Sequence, residues 1–382
     1  MTHRRSRPVL STLSAGIAAT ALLLGLATSA DAAPLPDTTQ GGPKDGATAG
    51  AVTGPVLTPT GPAPKVKKPG PGIPPIQYFG TIDSFGQNSE HERITRAALA
   101  CPTGTSPGTT GDCFQPASIR QLAGAKGTMG AIGAPDVDQV FTEAAHCDGA
   151  DYLNGAGYPR TRAQATSVLL ACIAHLKGEF NRGVEKADAL VDAAGGVSAS
   201  ATDLSSDCTF VLGVAGRGKC NAIEGFGRAL HGTEDFYSHS NWADKADSRY
   251  AIGVNNPPGL ARTGPAPFLR LAAPAPSASD IPGDLTTGCF SLNPWGCGNR
   301  VTHGVLNKDN GIIDPVTGEA SSPTTTRGQV AGNFSAAVQA AIADTRAQWA
   351  GFRSSLIARY GTVRGQRIAC AMTQDDPVRD CR

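Results

Sequence analysis

Apolar residues recur at helical spacing in two long stretches of the chain. In residues 161–194, Val168, Leu169, Cys172, Ile173, Leu176 and Phe180 share one side of a helix, and Gly195-Gly196 stop it. In residues 328–361, Val330, Phe334, Val338, Ile342 and Trp349 form a second such stripe. Residues 89–100 open after Asn88 and Ser89, both able to cap a helix, and end before Cys101-Pro102. Residues 136–147 start after Pro135, and residues 221–240 predict a fifth helix. Residues 252–326 are rich in Pro, Gly, Ser and Thr and predict long loops. Alternating strand patterns are scarce. The expectation is an all-α fold with long loops, running from about Ile76 to Arg382 as one domain.

The first residues follow a different pattern. Arg4, Arg5 and Arg7 precede an apolar stretch at 13–27, and Ala30-Asp31-Ala32 has the small-residue form of a cleavage site. Residues 1–32 therefore read as a secretory signal peptide. Arg4-Arg5 is a poor match to a twin-arginine signal, because Pro8 follows. Residues 33–75 hold eleven prolines and almost nothing able to build a core, which predicts a flexible Pro/Gly-rich linker.

Charge removes one class of partner. The chain carries 33 Lys and Arg against 32 Asp and Glu, a formal charge of +1. Loss of residues 1–32 would leave 30 basic and 31 acidic side chains. Neither balance supplies the basic field that a stable nucleic-acid partner needs.

Ten cysteines change the picture more, since all of them lie beyond residue 100. An even count behind a secretory signal predicts disulfides and an oxidising compartment. Sequence alone leaves many pairings open. Pairing in chain order would close short spans of 12, 25, 12, 8 and 11 residues and tie the long loops. No two cysteines stand three apart, so a zinc ribbon is excluded.

The candidate chemistry lies with His91, His146, His175, His231, His239 and His303. His231, Asp235 and His239 stand at i, i+4 and i+8. At roughly 100° per residue they fall within about 80° of each other, on one helix face. Imidazole and carboxylate converging this way suit a zinc-type site, and they also suit a hydrogen-bonded polar face without metal. The spacing is not HExxH, and no histidine stands at position 95 to follow His91-Glu92, which disfavours a zincin protease. A Cys147–Cys172 bridge would hold His146 against the long helix and bring His175 near it. His175 lies beside the apolar stripe and reads as a core histidine or one supporting the ligands.

Three segments, taken in order, carry a resemblance. They are Gly86-Gln-Asn-Ser-Glu-His91-Glu-Arg-Ile-Thr95, Gly133-Ala-Pro-Asp136-Val-Asp138, and Leu230-His231-Gly-Thr-Glu-Asp235-Phe-Tyr-Ser-His239-Ser-Asn241-Trp242. Together they resemble the zinc-dependent phospholipase C superfamily, which includes nucleases of the P1 type. The nearer likeness is to its Het-C branch and to CinY-like secreted proteins. The resemblance implies a helical bundle holding one to three zinc ions at the bottom of a cleft, with metal-activated water attacking a phosphodiester. It makes His91, Asp136, His146, His231, Asp235 and His303 metal ligands, with Asp136 also the catalytic base; His239, on the same helix face, and Asp309 complete the candidate metal set. It implies a phospholipid or another phosphodiester as substrate, peripheral contact with a membrane, and secretion to the extracellular space or cell wall.

The departures from that pattern bear on the chemistry. The phospholipases ligate metal through an N-terminal tryptophan, where this chain has the Pro-rich stretch. Their third central ligand lies six residues after the Asp, whereas His239 follows Asp235 by four. Their late motif is H-x-x-x-E, whereas Asn307 occupies the Glu position and Asp309 is the substitute. Three readings follow: a secreted metal-dependent phosphodiester hydrolase, a non-catalytic envelope- or protein-binding module on the same scaffold, and a disulfide-stapled helical domain without metal.

Overall fold

A computed structural model describes residues 89–105, 108–125, 128–210, 216–290 and 296–382. The expected signal peptide, the Pro/Gly-rich linker and residues 76–88 lie outside the described residues. Ten α-helices occur among the described residues. They are α1 (Glu90–Leu99), α2 (Pro116–Ala123), α3 (Pro135–Asp138), α4 (Arg162–Lys186), α5 (Ala199–Thr202), α6 (Gly218–His239), α7 (His303–Leu306), α8 (Asn333–Tyr360), α9 (Thr362–Thr373) and α10 (Pro377–Asp380). The strands are β1 (Ile312–Ile313) and β2 (Ala320–Ser321), a short antiparallel ribbon. The protein is mostly helical, as its patterning predicts.

The long helices form where the sequence supplies both a start and an apolar stripe. Thr161 opens α4 with a capping box: its hydroxyl accepts from the Gln164 amide, and the Gln164 side chain accepts from the Thr161 amide. Leu169, Cys172, Ile173, Leu176 and Phe180 are then buried along one face. Gly332 and Gly361, both with positive φ, bound α8, which buries Phe334, Val338, Ile342, Trp349 and Phe352. The stripes meet around Phe226 of α6. Its ring lies 4.8 Å from Phe352 and 5.4 Å from Trp349, and Phe180 lies 5.1 Å from Phe352. Burying each such side chain stabilises the fold by about 1.5–3 kcal/mol.

Helix α6 is the centre of the molecule. It packs against α4, α8, α2 and α9, and almost every residue from Lys219 to His239 is buried. A helix enclosed on all sides cannot keep its polar residues in water. Glu224, Arg228, His231, Glu234, Asp235 and His239 are therefore all inside the protein and depend on partners there. The site grows from this conflict.

Three segments differ from the sequence expectation. Residues 136–147 do not form one helix: a turn of α3 is followed by an irregular stretch and a 3₁₀ turn at Glu143–Ala145. Val137 is 48% exposed and Phe141 70% exposed, so this segment has no apolar face to bury and no packing to hold a helix. Helices α2 and α9 lie outside the predicted elements. Both are short, and α9 follows α8 after Gly361 alone. Within 252–326 the structure is loops, single turns and the ribbon, as expected.

The cysteines pair in chain order: Cys101–Cys113, Cys147–Cys172, Cys208–Cys220, Cys289–Cys297 and Cys370–Cys381. Five disulfides and no free cysteine point to an oxidising, extracellular environment. Among the described residues, no helix is long and apolar enough to cross a membrane.

Candidate metal centre

Helix α6 presents His231, Asp235 and His239 along one face, and other segments bring their side chains to it. The 131–138 segment is fastened from two sides. The amides of Ala131 and Ile132 donate to the carbonyls of Gln121 and Leu122 in α2. Arg228 of α6 donates to both carboxylate oxygens of Asp138, at 2.7 and 2.6 Å. The loop carrying His146 lies against α6 at Gly232, where a Cβ would stand 2.4 Å from the Ala145 carbonyl oxygen. Only glycine permits that approach. Cys147–Cys172 ties the same loop to α4.

Asp235 is the hub. Its Oδ2 lies 2.8 Å from His146 Nδ1 and 3.1 Å from His231 Nε2. Its Oδ1 faces His91 Nε2 at 3.3 Å and His239 Nδ1 at 3.9 Å. Four imidazoles thus surround one carboxylate. Asp136 joins from α3, with Oδ1 3.5 Å from His231 Nε2. The His91 and His231 rings stand 4.3 Å apart, and those of His146 and His231 4.8 Å apart.

A second group adjoins the C-terminal end of α6. Both carboxylate oxygens of Asp148 lie 3.1 Å from His303 Nδ1. The His239 and His303 rings are 3.9 Å apart. His239 Nε2 lies 3.2 Å from each oxygen of Asp309, which also accepts from the Ser238 hydroxyl. Backbone bonds bring the segments together: Gly288 donates to the His239 carbonyl, Gly149 to Gly288, and His303 to Cys289.

Protonation follows from these contacts. His231 Nδ1 lies 2.8 Å from the Ile132 carbonyl, which can only accept. Nδ1 therefore carries the proton, and the Nε2 lone pair points at Asp235, Asp136 and His146. Burial would lower the pKa of His91, but Asp235 and Glu234 override it and raise the value well above the usual one. His146 is raised in the same way, against its burial, by Asp235. For His231 burial prevails over the nearby carboxylates and lowers the pKa. Burial would raise Asp235, yet His231, His146 and His91 hold it well below the usual carboxylate range.

The donor set fits a metal ion. Three groups bring their donor atoms within 4.8 Å of one another: His91, Asp136 and His231; His146, His231 and Asp235; and Asp148, His239 and His303. Donors placed tetrahedrally about 2.1 Å from an ion stand about 3.4 Å apart. The contacts of 2.8–3.5 Å around Asp235 and His231 bracket that spacing. Asp235 Oδ1 is buried and faces the ring nitrogens of His91 and His239 at 3.3 and 3.9 Å, and a cation held among them would compensate its buried charge.

The structure thus brings His91, Asp136, His146, His231 and Asp235 into one cluster, and His239, His303 and Asp309 into the adjoining one. Asp309 stands on the far nitrogen of His239, outside the three donor groups. Sequence reasoning missed Asp148 and Glu234. Asp148 follows Cys147, and Glu234 sits inside the most specific of the quoted segments. His175 is half-buried, with its pKa lowered chiefly by burial, and belongs to none of the three groups. Tyr237 and Trp242 pack: Tyr237 donates to Asp344, and Trp242 donates to the Gly264 carbonyl beside Phe268.

No family model, curated protein or solved structure matches the chain.

Proposed function

We propose that the protein is a secreted zinc-dependent phosphodiester hydrolase of the phospholipase C and P1 nuclease type, nearest in pattern to Het-C and CinY-like proteins. The observation that carries the reading is Asp235, one buried carboxylate facing four imidazoles that come from α1, the 143–150 loop and two turns of α6. Nitrogen and oxygen donors without sulfur suit zinc. His91, Asp136, His146, His231 and Asp235 would hold one or two ions, and Asp148, His239 and His303 another. Bound there, divalent ions would offset a phosphodiester's charge and lower the pKa of a coordinated water.

The chain's own residues divide the remaining work. Ile132 fixes the tautomer of His231 and so aims its Nε2 into the cluster. Arg228 holds Asp138 and thereby sets Asp136 two residues away. Asp136 is 12% exposed, while His91, His231, Asp235 and His239 are closed to solvent. It is the group placed to meet a substrate and to take a proton from an attacking water. Val137, next to it in the chain, and Phe141 are exposed apolar side chains of the same segment, and they would favour a phospholipid, met at a membrane surface, over a wholly polar phosphodiester.

One observation favours the second reading, a non-catalytic envelope- or protein-binding module. Closed metal sites are commonly structural, whereas catalytic ones keep an open position. One experiment separates the two. Oxidised protein would be assayed for zinc by elemental mass spectrometry and for turnover of phosphatidylcholine vesicles, an aryl phosphodiester and single-stranded DNA, beside Asp235→Ala and His231→Ala. Two or more zinc per chain, lost in both variants, with phosphodiester turnover supports the hydrolase. Bound zinc without turnover of any substrate supports the module. Absence of zinc after incubation with the metal sinks the hydrolase and leaves a disulfide-stapled scaffold.

A further inference from the structure

Glu234 lies next to Asp235 on α6 and is fully buried, and the two carboxylates meet opposite nitrogens of the His91 ring. Oε2 lies 2.8 Å from His91 Nδ1. Oε1 accepts from the hydroxyls of Thr95 on α1 and Thr345 on α8, each at 2.9 Å. Three donors from two neighbouring helices thus fix one carboxylate. An ionised carboxylate can only accept, so His91 Nδ1 carries the proton, and Nε2 is turned toward Asp235 Oδ1 at 3.3 Å.

We propose that Glu234 is a positioning residue that selects the Nδ1–H form of His91 and aims its Nε2 at a metal; the proposal rests on the metal reading above. A purely structural bracket between α1, α6 and α8 would not require an anion. A buried amide or hydroxyl could receive the two threonine hydroxyls without the desolvation cost of a charge. The anion is explained by His91, because a carboxylate behind a ligating imidazole fixes its orientation and raises its basicity. Five consecutive residues of α6 then supply a ligand (His231), the orienting anion (Glu234) and the shared carboxylate (Asp235).

The test is a zinc titration against a chromophoric chelator, using the full oxidised chain and its Glu234→Gln, His91→Gln and doubly substituted forms. Glu234→Gln should weaken zinc binding by about 10- to 100-fold. It should cost nothing further once His91 is Gln, because its effect passes through that ring. In ¹⁵N spectra of the zinc-loaded protein, the Nδ1–H signal assigned to His91 should be present in the parent and lost in Glu234→Gln. Equal losses in both backgrounds, or unchanged affinity, would overturn the proposal and leave the metal reading standing. A parent protein that takes up no zinc would overturn both. If Glu234→Gln does not fold, Glu234→Asp keeps the charge and shortens the reach. Full zinc affinity in that folded variant, with the Nδ1–H signal gone, would equally overturn the proposal.

Discussion

Arg228 reaches from the central helix to Asp138 with both terminal nitrogens, at 2.7 and 2.6 Å, and to Glu224 at 3.0 Å with its third. It also donates to the Phe210 carbonyl. Asp138 is two residues from Asp136, so this fork sets where α3 lies against α6. Arg228→Leu should destabilise the protein by about 3–5 kcal/mol, because it strands partners that are nearly buried. Denaturant unfolding of the oxidised protein measures this. A loss below about 1 kcal/mol would mean that α3 is held by its α2 contacts alone.

Gly232→Ala should act at the other end of the cluster. The added methyl meets the Ala145 carbonyl oxygen at 2.4 Å, and backbone must move to admit it. Overpacking of this kind costs about 1–3 kcal/mol. Because His146 is the next residue, zinc affinity should fall at least tenfold. A variant as tight for zinc as the parent would show that the loop can retreat without carrying His146 away.

Lys219 predicts a pH dependence far from the cluster. Its ammonium is buried and donates to the Gln374 carbonyl at 2.6 Å and the Ser118 hydroxyl at 2.8 Å. Burial pulls its pKa down to about 7, from 10.5 in the open chain, against the opposing pull of Asp375. Between those values the unfolded chain holds a proton that the folded chain has shed. Stability from this group therefore rises with pH across that window, is complete above 10.5, and is lost as pH falls through 7. Lys219→Met removes the dependence. The difference in unfolding free energy between parent and variant should change by roughly 3 kcal/mol between pH 7 and pH 9.5. A constant difference would place the proton elsewhere.

Chelation should lower stability in proportion to occupancy. A ligand at a thousand times its dissociation constant stabilises a fold by about 4 kcal/mol. The zinc-loaded protein should melt at a higher temperature than the chelated one, and Asp235→Ala should shrink the difference. Equal melting temperatures with and without chelator in the parent would count against zinc as a resident of the cluster.

The central part of this site was legible because one helix carries it. His231, Asp235 and His239 stand at intervals that any α-helix places on one face, and a resemblance in short ordered segments added His91, Asp136, His146 and His303. Asp148 was hidden because its partner His303 is 155 residues away. Glu234 was hidden because helical spacing points it off the His231 face, toward donors on α1 and α8. The 136–147 segment misled because Val137 and Phe141, which look like part of a helical stripe, face outward. Periodicity reports which residues could share a face, whereas burial depends on what the rest of the chain lays against it.

Cys147 stands between His146 and Asp148, and the first serves the Asp235 cluster while the second serves His303. A single covalent tether to α4 therefore lies behind both halves of the cluster. This gives the protein a calendar. While its thiols are reduced, the loop is held only by its packing on Gly232 and by backbone bonds such as that from Gly149 to Gly288. Once Cys147 and Cys172 have joined, the bond adds a covalent tie to those contacts. If the cluster takes a metal, the compartment that oxidises the protein also sets which ions are on hand when the cluster first closes.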